Sequence, residues 1–381
     1  MEISDIAIIE HVGGHGGMNY YDYGLAYGLG ENKVLVKYHS CNETKKRDFD
    51  NVDTHHTFGN LWKKIKVLRI ILLFQGYLKS FLISKKNKVQ VVHLHFFDFT
   101  FRNLILIFFA KFFPFKTIVT IHDVFSFFNM SNRVSEYYIL KWADGIIVHN
   151  QASFNDLKSK HSNLSKVTII PHGNYLPFIN KIEKPKRISQ KLKILFFGQI
   201  KEVKGLEILL KALKIAVETN KKIHLTIAGK PNKTNFKKYT ELIDKLCLED
   251  NVTAVLRYID DPEIEALYKN SDLIVLPYKM ISQSGVLLLS MSYGLPVLTS
   301  DLPAFTEIIS DNNTGFIFES ENSESLANKL IEIYDNRNLL FKVTLNSNML
   351  IQKEFDWRLI GKKTKEFYQH TLNEQKNILQ A

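Results

Sequence analysis

A short basic loop follows an apolar run in the second half of the sequence. The run Phe196–Gly198 has the pattern of a buried strand end, and a helical pattern begins near Gly205. Lys201 and Lys204 lie between them. Ligands of parallel sheets bind at the carboxyl ends of strands, where these two lysines could neutralise a diphosphate leaving group without a metal. A solvated surface loop would also carry lysines, so both interpretations stand.

A second candidate anion site lies where another strand pattern gives way to a helix. The strand pattern ends at Leu276, and Ser284 and Gly285 precede an apolar helical run from Val286 to about Tyr293. A serine here caps the helix, and the free N–H groups of the first turn attract an anion together with the helix dipole. Every helix needs a cap, so this motif is weak evidence by itself.

A glycine-rich turn near the amino terminus is the third candidate. It spans 11–17, after the first strand pattern and before a helical run. Glycines permit tight turns and a close approach to a phosphate or sugar. The spacing is not the G-x-G-x-x-G of a dinucleotide site. Position alone therefore favours a ligand beside Gly16 and Gly17.

The elements that would position these residues are strands alternating with helices. Strand patterns occur at 6–10, 33–38, 89–95, 117–122, 145–149, 168–171, 193–197, 224–229, 252–257, 273–276, 296–299 and 315–318. Such alternation is typical of parallel sheets covered on both faces. The aperiodic stretch 174–191 predicts a linker. We therefore expect an α/β protein with two Rossmann-like domains, 1–176 and 190–357, facing a central cleft.

Composition narrows the class of partner. The chain has 381 residues, 45% of them hydrophobic and 23% charged, which excludes a disordered or fibrous protein. The net charge of +11 indicates an anionic partner: a nucleic acid, a phosphorylated small molecule or a membrane. No basic and aromatic pattern resembles a known nucleic-acid module, so we expect no nucleic acid.

The positive charge is concentrated in one apolar interval. No acidic residue occurs between Asp53 and Asp98, whereas eight lysines and arginines alternate there with large apolar residues. This pattern predicts an anionic membrane surface as a partner through 60–88. A buried helix with solvated lysine ends is the alternative.

Targeting signals point to the cytoplasm. The amino terminus has no signal-peptide pattern, and no run reaches about 18 uninterrupted apolar residues, the nearest approach being 96–115. Two cysteines, Cys41 and Cys247, fit a reducing compartment. We expect a cytoplasmic protein, peripheral on the inner face of the cell membrane.

Several segments together resemble a retaining glycosyltransferase of family 4, which has the two-domain GT-B fold. The strongest matches lie in the second half: F-G-x-I-[RK]-x-x-K-G-L at 197–206, [AS]-D-[LVI]-x-[VL]-x-P-Y at 271–278, Q-S-G-V-L at 283–287, G-x-P-V at 294–297, a turn with glutamate at 304–309, and T-G-[FL] at 314–316. Their order makes the set more specific than any one member. Looser counterparts occur at 16–17, 91–95, 120–123, 143–149 and 169–173, and Phe355-Asp356-Trp357 resembles the start of a helix, about 358–381, that completes the first domain.

The resemblance implies transfer of a sugar from a nucleoside-diphosphate sugar to a glycan or lipid-linked hydroxyl, with retention of anomeric configuration. It implies these roles: catalytic His122 and Lys204; donor diphosphate at Gly17, Lys201, Lys204, Ser284, Gly285 and Val286; nucleotide at Gly198, Tyr258 and Glu307; acceptor side at Gly16, Gly17 and His122. No metal or other cofactor is expected. Read without the family, a histidine on an apolar strand such as His122 is more often a satisfied core residue, and His93 and His95 are as often structural as functional.

Two departures and two rival functions remain open. The glutamate pair that many members carry is absent, with leucine at the second position, and Gln199 replaces a common arginine, a charge that Lys201 would supply. One rival is a nucleotide-sugar epimerase, which needs carboxylates that the loop 281–289 lacks. The other is a non-catalytic sugar-nucleotide or membrane-binding subunit.

Overall fold

The computed structural model describes residues 3–13, 17–124, 132–161, 164, 166–180, 190–219, 221–232 and 236–379, with side chains to 373. The chain forms two compact units. Unit 1 combines Met1–Gly173 with Phe355–Ala381, and unit 2 is Asn174–Glu354. Both divisions fall about three residues before the expected boundaries at 176 and 357.

The strands are β1 (Asp5–Ile9), β2 (Leu35–His39), β3 (Val52–His55), β4 (Val91–Phe96), β5 (Lys116–Ile121), β6 (Gly145–Val148), β7 (Val167–Ile169), β8 (Leu192–Phe197), β9 (Ile223–Ala228), β10 (Val252–Val255), β11 (Leu273–Leu276), β12 (Val297–Ser300) and β13 (Phe316–Phe318). The helices are α1 (Met18–Glu31), α2 (Lys66–Lys86), α3 (Phe101–Ala110), α4 (Arg133–Trp142), α5 (Gln151–Lys160), α6 (Leu206–Glu218), α7 (Lys237–Lys245), α8 (Asp261–Asn270), α9 (Gly285–Ser292), α10 (Pro303–Thr306), α11 (Ser323–Asp335), α12 (Asn338–Glu354) and α13 (Trp357–Leu379).

Each unit is built on one parallel sheet. Unit 1 has the order β3-β2-β1-β4-β5-β6-β7, and unit 2 the order β10-β9-β8-β11-β12-β13. The chain reverses direction across the sheet between β1 and β4, and again between β8 and β11. Ligands of open parallel sheets bind at the carboxyl ends of the strands beside such a reversal. The predicted α/β class with two Rossmann-like sheets is confirmed.

Unit 1 is completed by the last helix of the chain. Trp357 begins α13 and is 1% exposed. It lies against three glycines: a Cβ would come within 2.1 Å of its ring at Gly24 and 2.3 Å at Gly173, and within 1.9 Å of its carbonyl oxygen at Gly28. These glycines leave the space that Trp357 fills, so α13 packs closely on α1.

Two sequence expectations differ from the structure. β3 was not predicted, because Val52–His55 is short and polar and lies at the sheet edge. The range 96–115 is not the nearest approach to a membrane span, since it combines a strand end, α3 and a loop. Within the described part of the chain, the helix with the length and composition to cross a membrane is α2, although a third of its apolar window is buried in unit 1. The search for uninterrupted apolar residues did not identify α2, because basic residues interrupt its apolar sequence.

Candidate functional site

The loop after β8 brings three predicted residues of unit 2 together. A Cβ built on Gly198 would lie 3.0 Å from Lys204 Nζ and 3.5 Å from Val286 Cγ2. Gly198 itself has a positive φ of 100°, a conformation that glycine adopts without strain. Lys204 Nζ also lies 5.3 Å from the ring centroid of Tyr278. The carboxyl ends of β8 and β11 thus share one lysine at the sheet reversal.

Backbone contacts hold this loop against the end of β11. Gly205 has a φ of 65°, and a Cβ there would lie 1.9 Å from the carbonyl oxygen of Pro277. The Lys279 N–H donates to the Val203 carbonyl at 2.8 Å. Only glycine permits this approach, so the G in the motif at 197–206 fixes where Lys204 stands.

The electrostatic state of Lys204 suits an anion. The side chain is half-buried, and desolvation lowers its pKa to about 8. No carboxylate of the described residues lies within 4 Å of its Nζ. At neutral pH the ammonium therefore stays mostly charged with the Tyr278 ring as a partner, and a bound diphosphate would relieve its desolvation.

The amino end of α9 is formed as predicted. The Ser284 hydroxyl accepts a hydrogen bond from the Leu287 N–H at 3.2 Å, so Ser284 is the cap of the helix. A Cβ on Gly285 would lie 2.8 Å from the Tyr175 hydroxyl. The first turn of a helix has N–H groups without intrahelical acceptors, and here that turn includes Val286 beside Gly198.

The remaining unit 2 residues lie farther apart along the sheet. Lys201 directly precedes the turn that carries Lys204. Tyr258 is exposed in the loop after β10, two strands away from β8. Glu307 is exposed and follows α10, so it lies at the carboxyl end of the helix that Pro303 begins. At this end of a helix its charge does not favour the helix dipole.

In unit 1 the predicted residue His122 lies inside a cluster of histidines at the carboxyl ends of β4, β5 and β6. It is 4% exposed, and its ring stacks on Phe97 with centroids 4.8 Å apart. Its two ring nitrogens contact His95 Nδ1 at 3.1 Å and His149 Nε2 at 3.2 Å. Both imidazole nitrogens of His122 are therefore engaged within unit 1.

A backbone carbonyl sets the direction of these hydrogen bonds. His149 Nδ1 lies 2.9 Å from the Ile170 oxygen, which can only accept, so Nδ1 carries the proton and Nε2 accepts. His122 must then donate from Nδ1 to His149, and His95 must donate from Nδ1 to His122. Burial lowers the pKa of His149 to about 3 and that of His122 well below its ordinary value, which keeps the rings neutral.

A buried carboxyl group lies at the end of the chain of imidazoles. His95 Nε2 lies 3.7 Å from Asp22 Oδ1, beyond hydrogen-bond distance, and neither buried atom has a hydrogen-bond partner among the described residues. Desolvation and the nearby Glu10 raise the pKa of Asp22 well above its ordinary value. A neutral His95 that donates from Nδ1 can only accept at Nε2, so the raised pKa of Asp22 favours the form of the carboxyl group that suits this neighbour. The Tyr38 hydroxyl donates to its other oxygen at 2.9 Å.

The neighbouring residues extend the same buried layer. Burial raises the pKa of Glu10 to about 7, and one of its oxygens accepts from the Val12 N–H at 2.6 Å. The rings of His93 and His95 stack with their centroids 4.7 Å apart, so the two side chains share one face of β4. The imidazole Nδ1–H of His172 donates to the Gly173 carbonyl oxygen at 2.6 Å. No group of three metal-ligating side chains is arranged for an ion in the parts of the chain that the structure describes.

The glycine-rich turn is described only in part. Gly16 lies outside the described residues. Gly17 directly precedes α1, is exposed, and accepts from the Tyr20 and Tyr21 N–H groups at 3.2 Å. It stands at a helix amino terminus, as predicted from position.

The sequence analysis missed Glu10 and Asp22. Each carries a signal in retrospect: Glu10 follows the apolar strand β1 directly, and Asp22 is an acid between two tyrosines in an apolar helix. Tyr278 was recognised only as part of a motif, although it supplies the ring beside Lys204.

Comparison with known families covers both units. A model described as "Glycosyl transferases group 1" matches residues 178–347, within unit 2. A model described as "Glycosyltransferase Family 4" matches residues 15–174, across most of the first segment of unit 1.

Individual relatives agree with these models. The GDP-mannose:glycolipid 4-beta-D-mannosyltransferase of Xanthomonas campestris pv. campestris is 28% identical over 43% of this chain, a match that spans 46% of the relative. Sucrose-phosphate synthase from Thermosynechococcus elongatus has the same fold, with a TM-score of 0.76 and 18% identity over 96% of this chain and 98% of its own.

A further solved structure, Anabaena Alr3699/HepE in complex with UDP and glucose, superimposes with a TM-score of 0.71 and 17% identity over 95% of this chain and 98% of its own. The two parallel sheets, the two family models and these relatives lead to one conclusion. The chain is a glycosyltransferase with the GT-B fold, of the group 1 and family 4 type.

Proposed function

We propose that this enzyme transfers a sugar from a nucleoside-diphosphate sugar to a hydroxyl group of a glycan or lipid-linked acceptor, with retention at the anomeric carbon. The observation that carries the proposal is the convergence of Lys204 and Val286 on Gly198 at the sheet reversal of unit 2. That arrangement offers an ammonium and a helix amino terminus to the same anion.

The proposed reaction uses the leaving group as its base. Lys201, Lys204 and the first turn of α9 stabilise the charge that grows on the diphosphate as the bond from C1 to the phosphate oxygen breaks. The acceptor oxygen bonds to C1 on the same face, and its proton passes to the departing phosphate oxygen. The donor belongs to unit 2 under this proposal, with Gly198, Tyr258 and Glu307 serving the nucleoside.

We assign the acceptor side to unit 1, through Gly16, Gly17 and His122. The proton is not assigned to His122, because both of its ring nitrogens are bonded to His95 and His149 and its pKa is lowered. His122 instead presents a fixed, neutral imidazole at the end of β5. The proposal needs no metal ion for the transfer.

Two comparisons support the choice of substrates. HepE was solved with UDP and glucose, and the Xanthomonas campestris relative is a GDP-mannose:glycolipid mannosyltransferase. The HepE complex contains a nucleoside diphosphate and a sugar, and the name of the Xanthomonas campestris relative includes a nucleoside-diphosphate sugar and a glycolipid acceptor. We propose a donor of this class and a glycolipid or glycan acceptor at the cytoplasmic side of a membrane.

Nucleotide binding tests the donor site. UDP, GDP and dTDP are titrated into the protein by calorimetry, and the best ligand is repeated with Lys204→Met and with Lys211→Met, an exposed lysine on α6. Loss of a charge-assisted contact should weaken binding at least tenfold for Lys204→Met and leave Lys211→Met unchanged. Wild-type affinity should also fall as the pH rises through about 8, where Lys204 loses its proton.

Equal affinities for the two variants would contradict the diphosphate assignment. The anomeric outcome is tested separately, by NMR of the product formed from an α-linked donor. An α-linked product supports retention, whereas a β-linked product refutes it. Conversion of the donor sugar without any acceptor would instead favour an epimerase.

A further inference from the structure

A stripe of exposed aliphatic side chains runs along the outer face of α2. Val67, Ile71, Leu78 and Leu82 are 70%, 50%, 53% and 52% exposed. Their spacings of four, seven and four residues place them on one side of a helix. Ile70 adds to this face at 58% exposure, and Ile65, which directly precedes the helix, is 76% exposed. A single exposed leucine is ordinary, but a continuous stripe of this kind marks an interaction surface.

The opposite face of the same helix is already used by the core. Tyr77 and Phe81 are 2% and 1% exposed, and Gly76 leaves room for Phe58, whose ring would lie 2.2 Å from a Cβ at that position. The helix is therefore apolar on both sides, which is the pattern of an element covered on both sides. Among the described residues only the inner side has its cover.

Exposed lysines border the apolar stripe. They are Lys63, Lys64, Lys66, Lys79, Lys85, Lys86 and Lys88. With no acidic residue between Asp53 and Asp98, nothing within this interval neutralises them. Arg69 is held differently, because it donates to the Trp62 and Lys64 carbonyls and stacks over the Trp62 ring. A face that is apolar at its centre and uniformly basic at its edges complements an anionic lipid surface.

A second apolar patch lies on α3. Its exposed members are Phe101 (68%), Phe108 (45%), Phe109 (51%) and Phe112 (69%), the last just beyond the helix. The carboxyl ends of the two helices are neighbours, because Lys85, Lys88 and Lys111 line one cavity. Phe81 of α2 also packs on Phe113, with ring centroids 5.3 Å apart. Aromatic rings are favoured at the boundary between lipid headgroups and acyl chains.

We propose that the outer face of α2, together with the exposed phenylalanines of α3, docks on a bilayer that contains anionic lipid. The helix lies along the surface and does not cross it, because Tyr77 and Phe81 hold its inner face in the core of unit 1. A protein partner would be expected to meet a mixed rim of charges, whereas the charged residues of the α2 interval between Asp53 and Asp98 are all basic. Acidic residues enter only beside α3, where Asp144 pairs with Lys111 and Lys116. The docking does not depend on the sugar-transfer reaction.

Vesicle flotation tests the proposal. The full chain is mixed with vesicles of phosphatidylcholine alone or of phosphatidylcholine with phosphatidylglycerol. We expect flotation with the anionic vesicles, and less of it at high salt because each lysine near the surface adds about fivefold to binding. Ile71→Asp with Leu78→Asp should reduce binding at least tenfold. The matched control, Leu345→Asp with Met349→Asp, changes two exposed apolar residues of α12 in unit 2 and should bind like wild type.

Two further measurements separate the possible outcomes. Lys79→Gln with Lys86→Gln keeps the apolar stripe and should lose mainly the preference for anionic vesicles. Circular dichroism and nucleotide titration of each variant show whether it is folded, independently of lipid. Absence of vesicle binding, or equal flotation with the control and the α2 variant, overturns the proposal. A dimer in sedimentation that the α2 variant abolishes would overturn it in favour of a second copy.

Discussion

The strands of the two sheets carry chemically different side chains at their carboxyl ends. In unit 1 they carry buried imidazoles and carboxyl groups, with His122 hydrogen-bonded on both sides and the pKa of Asp22 raised by desolvation. In unit 2 they carry the half-buried Lys204, a helix amino terminus and the Tyr278 ring. The two sheets reverse at corresponding places. One architecture therefore supports a closed, neutral layer in one unit and an open, cationic site in the other.

The difference follows from what burial does to each group. Burial disfavours the charged form of every group, so the histidines of unit 1 stay neutral and the pKa of Glu10 rises to about 7. Desolvation lowers the pKa of Lys204 by a similar amount, to about 8, but a lysine starts from 10.5 and therefore stays mostly charged at neutral pH. The ordinary pKa of each side chain, and not the degree of burial, thus decides which unit offers charge to a ligand.

The largest expected effect comes from breaking the histidine chain. In His122→Ala, His95 and His149 each lose a hydrogen-bond partner in a buried site and a cavity opens, which should cost about 3 kcal/mol of unfolding free energy. Hydrogen exchange should show faster opening of β4, β5 and β6, with β8 and β11 unchanged.

The matched control for that variant is His224→Ala in unit 2. His224 is partly exposed and its ring contacts the Thr253 hydroxyl at 3.0 Å. Its replacement should cost less than about 1 kcal/mol. If the two variants lost the same unfolding free energy, the buried histidine chain would contribute no more to stability than an exposed histidine.

A smaller effect concerns the pH dependence of unit 1. Folding raises the pKa of Glu10 to about 7, so its stabilising proton is fully held below pH 4.5 and is lost as the pH rises through 7. Glu10→Gln should therefore match wild type at pH 5 and exceed it at pH 8 by roughly 2 kcal/mol, since each pKa unit is worth about 1.4 kcal/mol and Asp22 shares the effect. Urea unfolding across this pH range measures the difference.

The histidines act in the other direction and provide an internal check. Their pKa values are lowered on folding, so unit 1 loses stability as the pH falls below about 6.5 in both proteins. A Glu10→Gln protein whose stability declined above pH 7 as steeply as wild type would contradict the assignment of this proton.

The smallest expected effect concerns the cap of α9 in unit 2. Ser284→Ala removes the cap of α9 and should cost about 1 kcal/mol. Ser284→Asp keeps a cap and suits the helix dipole, but it places a negative charge where the diphosphate is proposed to bind. We expect Ser284→Asp to melt near the wild-type temperature and to lose nucleotide affinity. If Ser284→Asp kept its nucleotide affinity, the diphosphate could not bind at the amino end of α9 as proposed.

Local pattern was enough for the unit 2 site and not for unit 1. The strand, loop and helix around Lys204 are contiguous in the chain, as are those around Ser284, so motif and periodicity placed them. The histidine chain needs β4, β5 and β6 side by side, Asp22 from α1, and the Ile170 carbonyl to set proton positions. No local signal encodes those pairings, and the burial that raises the pKa of Asp22 appears only in three dimensions.

The docking of α13 on unit 1 has a consequence for synthesis. Unit 2 is one continuous segment, whereas unit 1 needs Trp357 to fill the space left by Gly24, Gly28 and Gly173, and Tyr368 to meet His93 Nδ1 at 2.6 Å. A nascent chain leaves the ribosome from its amino terminus, so α1 is made well before the helix that completes its packing. All of unit 2 lies between these two segments, so the space beside α1 stays without Trp357 until unit 2 has been synthesised.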